Sequence, residues 1–178
     1  MNEEQNDHYL DAFNIPVKDD DPRYFYDKLL KECPEHEHLL DGEAVVDFLV
    51  VRDPVIKQEM EVLGSVHLPT VQGRLKGVFN WMLVNKLGRI PDFLVLLDKD
   101  YWMSVETLDR EILIHHEMCH MIHKKNNEGE LRFDMFGNPV WGLRGHSVEE
   151  FNETVSRYGA YSQEIREFIA AATNGSKS

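Results

Sequence analysis

The chain has 178 residues, of which 42% are hydrophobic, and it carries 32 acidic and 19 basic side chains for a formal net charge of −13. This length and apolar content are typical of a globular domain and exclude an intrinsically disordered chain. The acidic balance and the lack of any basic stretch argue against DNA or RNA as a partner.

Cysteine usage and hydropathy indicate the cellular compartment. The two cysteines, Cys33 and Cys119, are too few for a disulfide framework, which is typical of a reducing environment. No secretory signal opens the sequence, and no apolar run approaches the ~18 residues that a membrane helix needs. We therefore expect a cytoplasmic protein with no membrane partner. The sequence does not indicate an oligomeric state.

The first half of the chain predicts a flexible start followed by a helix and two strands. Residues 1–22 are polar and acidic and are expected to form a flexible arm. A short helix should run from Arg23 to Lys31. The β-branched run AVVDFLVV, residues 44–51, predicts a strand, and a second strand is expected within residues 59–68.

The second half alternates helix and strand signals. Apolar residues three or four apart over residues 70–87 predict a helix that Gly88 caps, and PDFLVLLD, residues 91–98, predicts a strand. Ser104 is expected to cap a helix that reaches Lys124, and a loop should cover residues 126–146.

Two further helices complete the predicted fold, one opened by HSVEEF and ended by Gly159, the other spanning residues 162–172. The order of elements indicates an α+β class, with a small mixed sheet packed against helices. We expect a single domain over residues 23–172 and a flexible tail over residues 173–178.

The segment EILIHHEMCHMIH, residues 111–123, carries the chemistry. Within it, His116 to His120 form an H-E-x-x-H motif, and residues four apart share one face of a helix. Neutral imidazole nitrogens suit Zn²⁺ at ~2.0 to 2.1 Å. Glu117 lies about 100° round the helix, so it can border the metal without ligating it and act as general base for metal-activated water.

A catalytic zinc requires a third protein ligand. His146 is preferred, because it stands just ahead of a predicted helix and follows two glycines that let the backbone turn. Glu149 and Glu150 remain alternatives, either as ligand or as hydrogen-bond partner of a ligand histidine. Glu150 also fits a capping box that begins at Ser147.

Other polar residues near the motif have simpler interpretations. His123 is about 10 Å along the helix from His116, too far to share its ion, and His115 points away from the pair. Cys119 is expected to be a small buried residue. Arg144 and Tyr158 are candidates to stabilise an oxyanion, although a solvated loop charge and a core aromatic explain them equally well.

Three separated blocks resemble the phage metallopeptidase family: PDFLVLLDKDYW, HHEMCHMIH and DMFGNPVWGLRGHSVEEFNETVSRYG. The likeness covers residues 44–160, and the family is in turn similar to the SprT-like zincins. The resemblance implies a minimal zincin-like domain, with His116, His120 and His146 as zinc ligands and Glu117 as base. It also implies the host cytoplasm as location if a phage encodes the chain. Ser147 departs from the family pattern, where an aspartate is usual.

These observations predict a zinc-dependent peptidase that acts on a protein or peptide. We expect the substrate to lie as an extended chain between the strand at residues 91–98 and the loop at 126–146. The alternative is a metal-stabilised binding module that cleaves nothing, such as a host-takeover or antirestriction factor. A nucleic-acid enzyme is a third hypothesis, which the negative charge disfavours.

Overall fold

The structure is a computed structural model that describes residues 12–16, 21–57, 59–149 and 151–175. The chain divides into two compact units, Met1–Arg144 and Gly145–Ser178. The sequence predicted one domain over residues 23–172, and no sequence pattern indicated that a second compact unit begins at Gly145. The predicted α+β class is confirmed.

A four-stranded mixed sheet forms the centre of the first unit. Its order is β1 (Phe13–Asn14), β2 (Val46–Val51), β6 (Phe93–Asp98) and β5 (Gly64–His67). Strands β2 and β6 are parallel, and the two outer strands run antiparallel to their neighbours. The two strong sequence signals are therefore the two inner strands.

The side chains of β6 explain why this strand is interior. Completely buried side chains alternate along this strand with less buried ones, and the buried side chains are those of Phe93, Val95 and Leu97. This alternation is expected for a strand with one face on the core. β2 repeats the pattern with Val46, Phe48 and Val50. The core of the first unit lies on this face of the sheet.

Helices cover the core face. α1 (Arg23–Glu32) packs against α5 (Thr107–His120), α5 also contacts β5, and α4 (Lys99–Ser104) contacts β2 and β6. The completely buried Trp102 of α4 meets Phe25 of α1 edge to face, with ring centroids 5.9 Å apart. α1 is capped at its C-terminus by Cys33, the residue before Pro34. A 3₁₀ turn, Pro34–His36, follows and leads into α2 (Glu37–Asp41).

Apart from α3 (Leu75–Leu87), the remaining elements of this unit are short. Gly88 caps α3 as predicted and adopts the left-handed conformation. β3 (Val55–Lys57) pairs with β4 (Met60–Val62). β7 (Met121–His123) pairs with β8 (Trp141–Leu143), and isolated bridges join Lys125 to Leu131 and Phe133 to Pro139. Residues 126–146 are thus partly an antiparallel ribbon rather than the predicted loop.

The predicted limits of the motif helix were wrong at both ends. Ser104 closes α4, whereas α5 begins after Glu106 and ends at His120 rather than Lys124. The physical reason is strand pairing, because Met121 takes an extended conformation and the chain continues into β7. The H-E-x-x-H motif therefore occupies the last turns of its helix.

The second unit contains α6 (Asn152–Tyr158) and α7 (Gln163–Gly175). Gly159 follows α6 as predicted. The predicted capping box was wrong, because α6 begins five residues after Ser147 and Phe151 precedes it without a side-chain cap. Glu150 lies outside the described residues.

The two predicted flexible ends are described only in part. Phe13–Asn14 pair with β2 and so differ from a flexible arm, and residues 173–175 extend α7. Residues 1–11, 17–20 and 176–178 lie outside the described residues. Among the described helices, none is both long and apolar enough to cross a membrane.

Candidate metal centre

The two histidines of the motif are spaced as ligands of one ion. His116 and His120 stand one turn apart at the end of α5, and their Nε2 atoms are 3.3 Å apart. Two nitrogens bound to one tetrahedral ion at ~2.05 Å are separated by about 3.3 Å. The pair therefore already has the separation that a shared tetrahedral metal requires.

The chain around Arg144 fixes the orientation of the second histidine. Nδ1 of His120 lies 2.8 Å from the carbonyl oxygen of Arg144, and the backbone N–H of Arg144 donates to the carbonyl of His120 at 2.9 Å. Because a carbonyl only accepts, Nδ1 carries the proton and Nε2 keeps the lone pair that a metal needs. This is the usual arrangement around a ligand histidine.

The Arg144 guanidinium has a structural task. Its Nε donates to the carbonyl oxygen of Cys119, next to the two backbone bonds at His120. The last carbonyls of a helix have no partner within the helix, and Arg144 satisfies two of them. Arg144 therefore positions the end of α5, and its predicted role in stabilising an oxyanion stays a prediction.

Glu117 has a buried carboxylate oxygen for which the described part of the chain provides no hydrogen bond. Its side chain is on the core side of α5 with 3% of the residue exposed, and Oε2 has no hydrogen-bond partner among the described residues. Burial raises the pKa of Glu117 to about 7. A buried carboxylate oxygen without a hydrogen-bond partner is costly, so a polar group or ion beside Oε2 would stabilise this position.

Gly64, the first residue of β5, packs directly on this carboxylate. A Cβ atom at position 64 would lie 2.5 Å from Oε1 and 3.0 Å from Cδ of Glu117. Only glycine leaves room for the carboxylate at this place. Gly64 could not be predicted from the sequence, because no local pattern links it to a residue more than fifty positions away.

These observations fit a divalent metal. The two imidazoles have the spacing of a tetrahedral pair, Nδ1 of His120 carries the proton so that the lone pair is on Nε2, and the buried Oε2 belongs to Glu117, the residue after His116. His116, His120 and the neighbouring Glu117 are thus the part of the predicted site that the first unit holds together.

The remaining predicted ligands belong to the second unit. His146 and Glu149 are both exposed and precede α6. Tyr158, at the last position of α6, is 64% exposed and has the Arg157 guanidinium over its ring at 5.5 Å from the centroid. The predicted roles of His146, Glu149 and Tyr158 stay predictions.

The other residues of the motif region face elsewhere. His123, which was not expected to share the ion of His116, is buried on β7, and its Nε2 is 2.7 Å from the carbonyl oxygen of Arg132. His115 and Cys119 lie on a side of α5 that differs from the side of His116 and His120 and from the core side of Glu117. Nδ1 of His115 is 3.7 Å from Sγ of Cys119. Cys119 is half-buried rather than fully buried.

The predicted substrate cleft needs correction. β6 lies between β2 and β5 and offers no edge, so it cannot pair with an extended substrate. A cavity of about 780 Å³ does lie between Pro91 and Asn138, but neither His116 nor His120 lines it. Within the described sheet, the edge strand nearest the motif helix is β5.

Comparison with known proteins identifies the family. The family model described as putative phage metallopeptidase matches residues 17–173, which is most of the chain and covers most of each unit. No curated protein and no solved structure matched the sequence. The blocks from which the resemblance was predicted, including the H-E-x-x-H motif, all lie within the matched range. The chain belongs to the phage metallopeptidase family.

Proposed function

We propose that the protein is a zinc-dependent peptidase in which His116, His120 and His146 hold the metal and Glu117 is the general base. The observation that carries the proposal is the buried Oε2 of Glu117, which has no hydrogen-bond partner among the described residues, next to two imidazoles with Nε2 atoms 3.3 Å apart. A purely structural metal would gain nothing from such a carboxylate, whereas hydrolysis requires a base at this place.

His146 is supported as third ligand by its short connection to the pair. The carbonyl of Arg144 accepts a hydrogen bond from the His120 ring, and His146 follows only two residues later. Two residues span at most about 7 Å, and this short connection favours His146 over donors further along the chain. Glu149 is five residues from Arg144, which corresponds to a reach of about 17 Å.

Each residue of the proposed site has a separate task. When bound, zinc supplies a Lewis acid that polarises the scissile carbonyl and makes water more acidic. Glu117 accepts the proton of the attacking water on its carboxylate and later delivers that proton to the leaving amine. Gly64 leaves the space that this carboxylate occupies, and Arg144 holds the His120 ring in the required tautomer.

An extended peptide is the substrate that the surroundings favour. β5 is an edge strand, and its first residue touches the Glu117 carboxylate. A substrate strand that pairs with β5 would therefore place a peptide bond near the proposed base. The net charge of −13 favours a protein over a nucleic acid as substrate, and two free thiols agree with action in the cytoplasm.

Cleavage of a broad peptide library, with and without a chelator, tests the function. The wild type should cleave only in the absence of chelator. Glu117→Gln should retain the metal and lower kcat/KM by about 10²-fold or more. A wild-type protein that binds the metal firmly yet cleaves no peptide would instead favour the metal-stabilised binding module.

The ligand set is tested separately by metal analysis. His146→Ala should lose one equivalent of zinc, whereas Glu149→Ala, from the same segment, serves as the matched control and should lose none. The reverse result would remove His146 from the site and assign its place to the carboxylate.

A further inference from the structure

A second cluster of metal-binding side chains lies on another side of the motif helix. His115 and Cys119 of α5 face His36, the last residue of the 3₁₀ turn after α1. One ring nitrogen of His36, one of His115 and the Sγ of Cys119 lie within 4.8 Å of one another. Residues nearly eighty positions apart thus bring nitrogen and sulfur donors together, which is the donor set of structural zinc sites.

The contacts of His115 are those of a ligand histidine. Its Nε2 is 3.1 Å from Oε1 of Glu35, and its Nδ1 is 3.7 Å from Sγ of Cys119. A carboxylate that accepts from Nε2–H leaves the lone pair on Nδ1. Nitrogen and sulfur bound to one tetrahedral zinc at ~2.05 and ~2.3 Å lie about 3.6 Å apart, close to the observed separation.

His36 provides an independent observation. Only 1% of the residue is exposed, yet its Nε2 has no hydrogen-bond partner among the described residues. The His36 and His115 rings meet edge to face with centroids 4.9 Å apart. A buried imidazole is normally satisfied on both nitrogens, so a histidine that served packing alone would not leave this nitrogen unpartnered.

We propose that His36, His115 and Cys119 bind a zinc ion, separate from the ion of the H-E-x-x-H pair. These three side chains supply two imidazole nitrogens and one thiolate, and a tetrahedral ion would take a water molecule as its fourth ligand. Cys33 lies in a second group with Glu35 and His115, whose donor atoms are also within 4.8 Å of one another, and that group contains neither His36 nor Cys119. Cys33 is therefore a neighbouring thiol outside the proposed ligand set.

The site would connect the turn after α1 to α5 behind the catalytic histidines. An entry route exists, because a cavity of about 300 Å³ borders Glu35, His36 and Cys119. Bound metal would hold α5 through the residues immediately before His116 and His120. None of these three ligands belongs to the proposed catalytic set, so this site can bind metal whether or not the protein is a peptidase.

Titration of the metal-free, fully reduced protein with Co²⁺ tests the proposal. Thiolate bound to cobalt gives a charge-transfer absorption in the near ultraviolet, which a site of nitrogen and oxygen ligands lacks. The wild type should bind two equivalents and develop this band. Cys119→Ala should bind one equivalent without the band, whereas Cys33→Ala, which removes the thiol outside the ligand set, should bind two equivalents and keep the band.

His120→Ala is the matched control, because it disrupts only the H-E-x-x-H pair and should keep the thiolate band at full intensity. Circular dichroism of each variant confirms that it is folded. If Cys119→Ala does not fold, the number of equivalents and the band of the wild type still decide the question. A reduced wild type without the thiolate band, or a band that survives in folded Cys119→Ala, would overturn the proposal.

Discussion

Replacing Gly64 by alanine tests how closely β5 packs on the base. The new Cβ would lie 2.5 Å from Oε1 and 3.0 Å from Cδ of Glu117, and 3.1 Å from Cδ1 of Leu113. Ordinary contacts of this kind are at least about 3.4 Å, so the carboxylate must move by about 1 Å. Gly64 does not have a positive φ, so the backbone itself accepts alanine without strain.

The expected effects on stability and on activity differ in size. The carboxylate is the end of a flexible side chain and can rotate away, so the cost in free energy of unfolding should be near 1 kcal/mol, the lower end for overpacking. For a chain of this length that is a fall in Tm of about 2 to 4 °C. A misplacement of ~1 Å at a catalytic group can lower activity by about 10²-fold. Gly64→Ala should therefore lower kcat/KM far more than stability.

Thermal unfolding and peptide cleavage are measured together for Gly64→Ala and for Gly77→Ala. Gly77 lies in α3, and a Cβ added there would meet no atom within 4 Å, so alanine should raise stability by ~0.5–1 kcal/mol without affecting cleavage. A Gly64→Ala protein with wild-type Tm and kcat/KM would show that β5 does not confine the carboxylate, and the assignment of Gly64 would be wrong.

Three further predictions concern stability. In the metal-free protein, the pKa of Glu117 is about 7 in the folded state and an ordinary 4.5 in the unfolded state. Between these pH values only the unfolded state releases the proton, so the free energy of unfolding should fall by about 3 kcal/mol as pH rises from 4.5 to 7. Glu117→Gln should remove this pH dependence in denaturant titrations at about pH 5 and 8. Trp102→Ala should cost ~3–5 kcal/mol in urea unfolding, because the ring is completely buried, and a cost below 1 kcal/mol would contradict its place in the core. Gly88→Ala should lower the free energy of unfolding by ~1 kcal/mol because φ is +76° at that residue, and an unchanged Tm would contradict this conformation.

The parts of the fold that the sequence predicted are those with a strong local signal. AVVDFLVV and PDFLVLLD are short, apolar and bounded by turn residues, and they became the inner strands β2 and β6. The H-E-x-x-H pair was predictable for the same reason, because both histidines lie on one helix and their spacing is set by the helix itself. No tertiary information was needed for either.

Features that depend on distant contacts could not be predicted. The end of α5 at His120 is set by the pairing of β7 with β8, about twenty residues further on, and not by a local breaker. The edge position of β5 follows from strand order, which periodicity does not reveal. The contact of Gly64 with Glu117 likewise requires two elements far apart in sequence to meet.

The unusual density of polar residues in the motif helix follows from three adjacent faces with different tasks. Residues four apart share a face, and three such pairs follow one another along α5, each offset by one residue: Ile114 and Met118, His115 and Cys119, His116 and His120. The first pair is 0% and 1% exposed and anchors the helix in the core. The other two pairs bring donor atoms within 3.7 Å and 3.3 Å of each other. Because a rigid core pair fixes the rotation of the helix, it also fixes the direction of both donor pairs. A change of core shape at Ile114 or Met118 should therefore disturb metal binding on both neighbouring faces at once, which distinguishes a shared anchor from two independent sites.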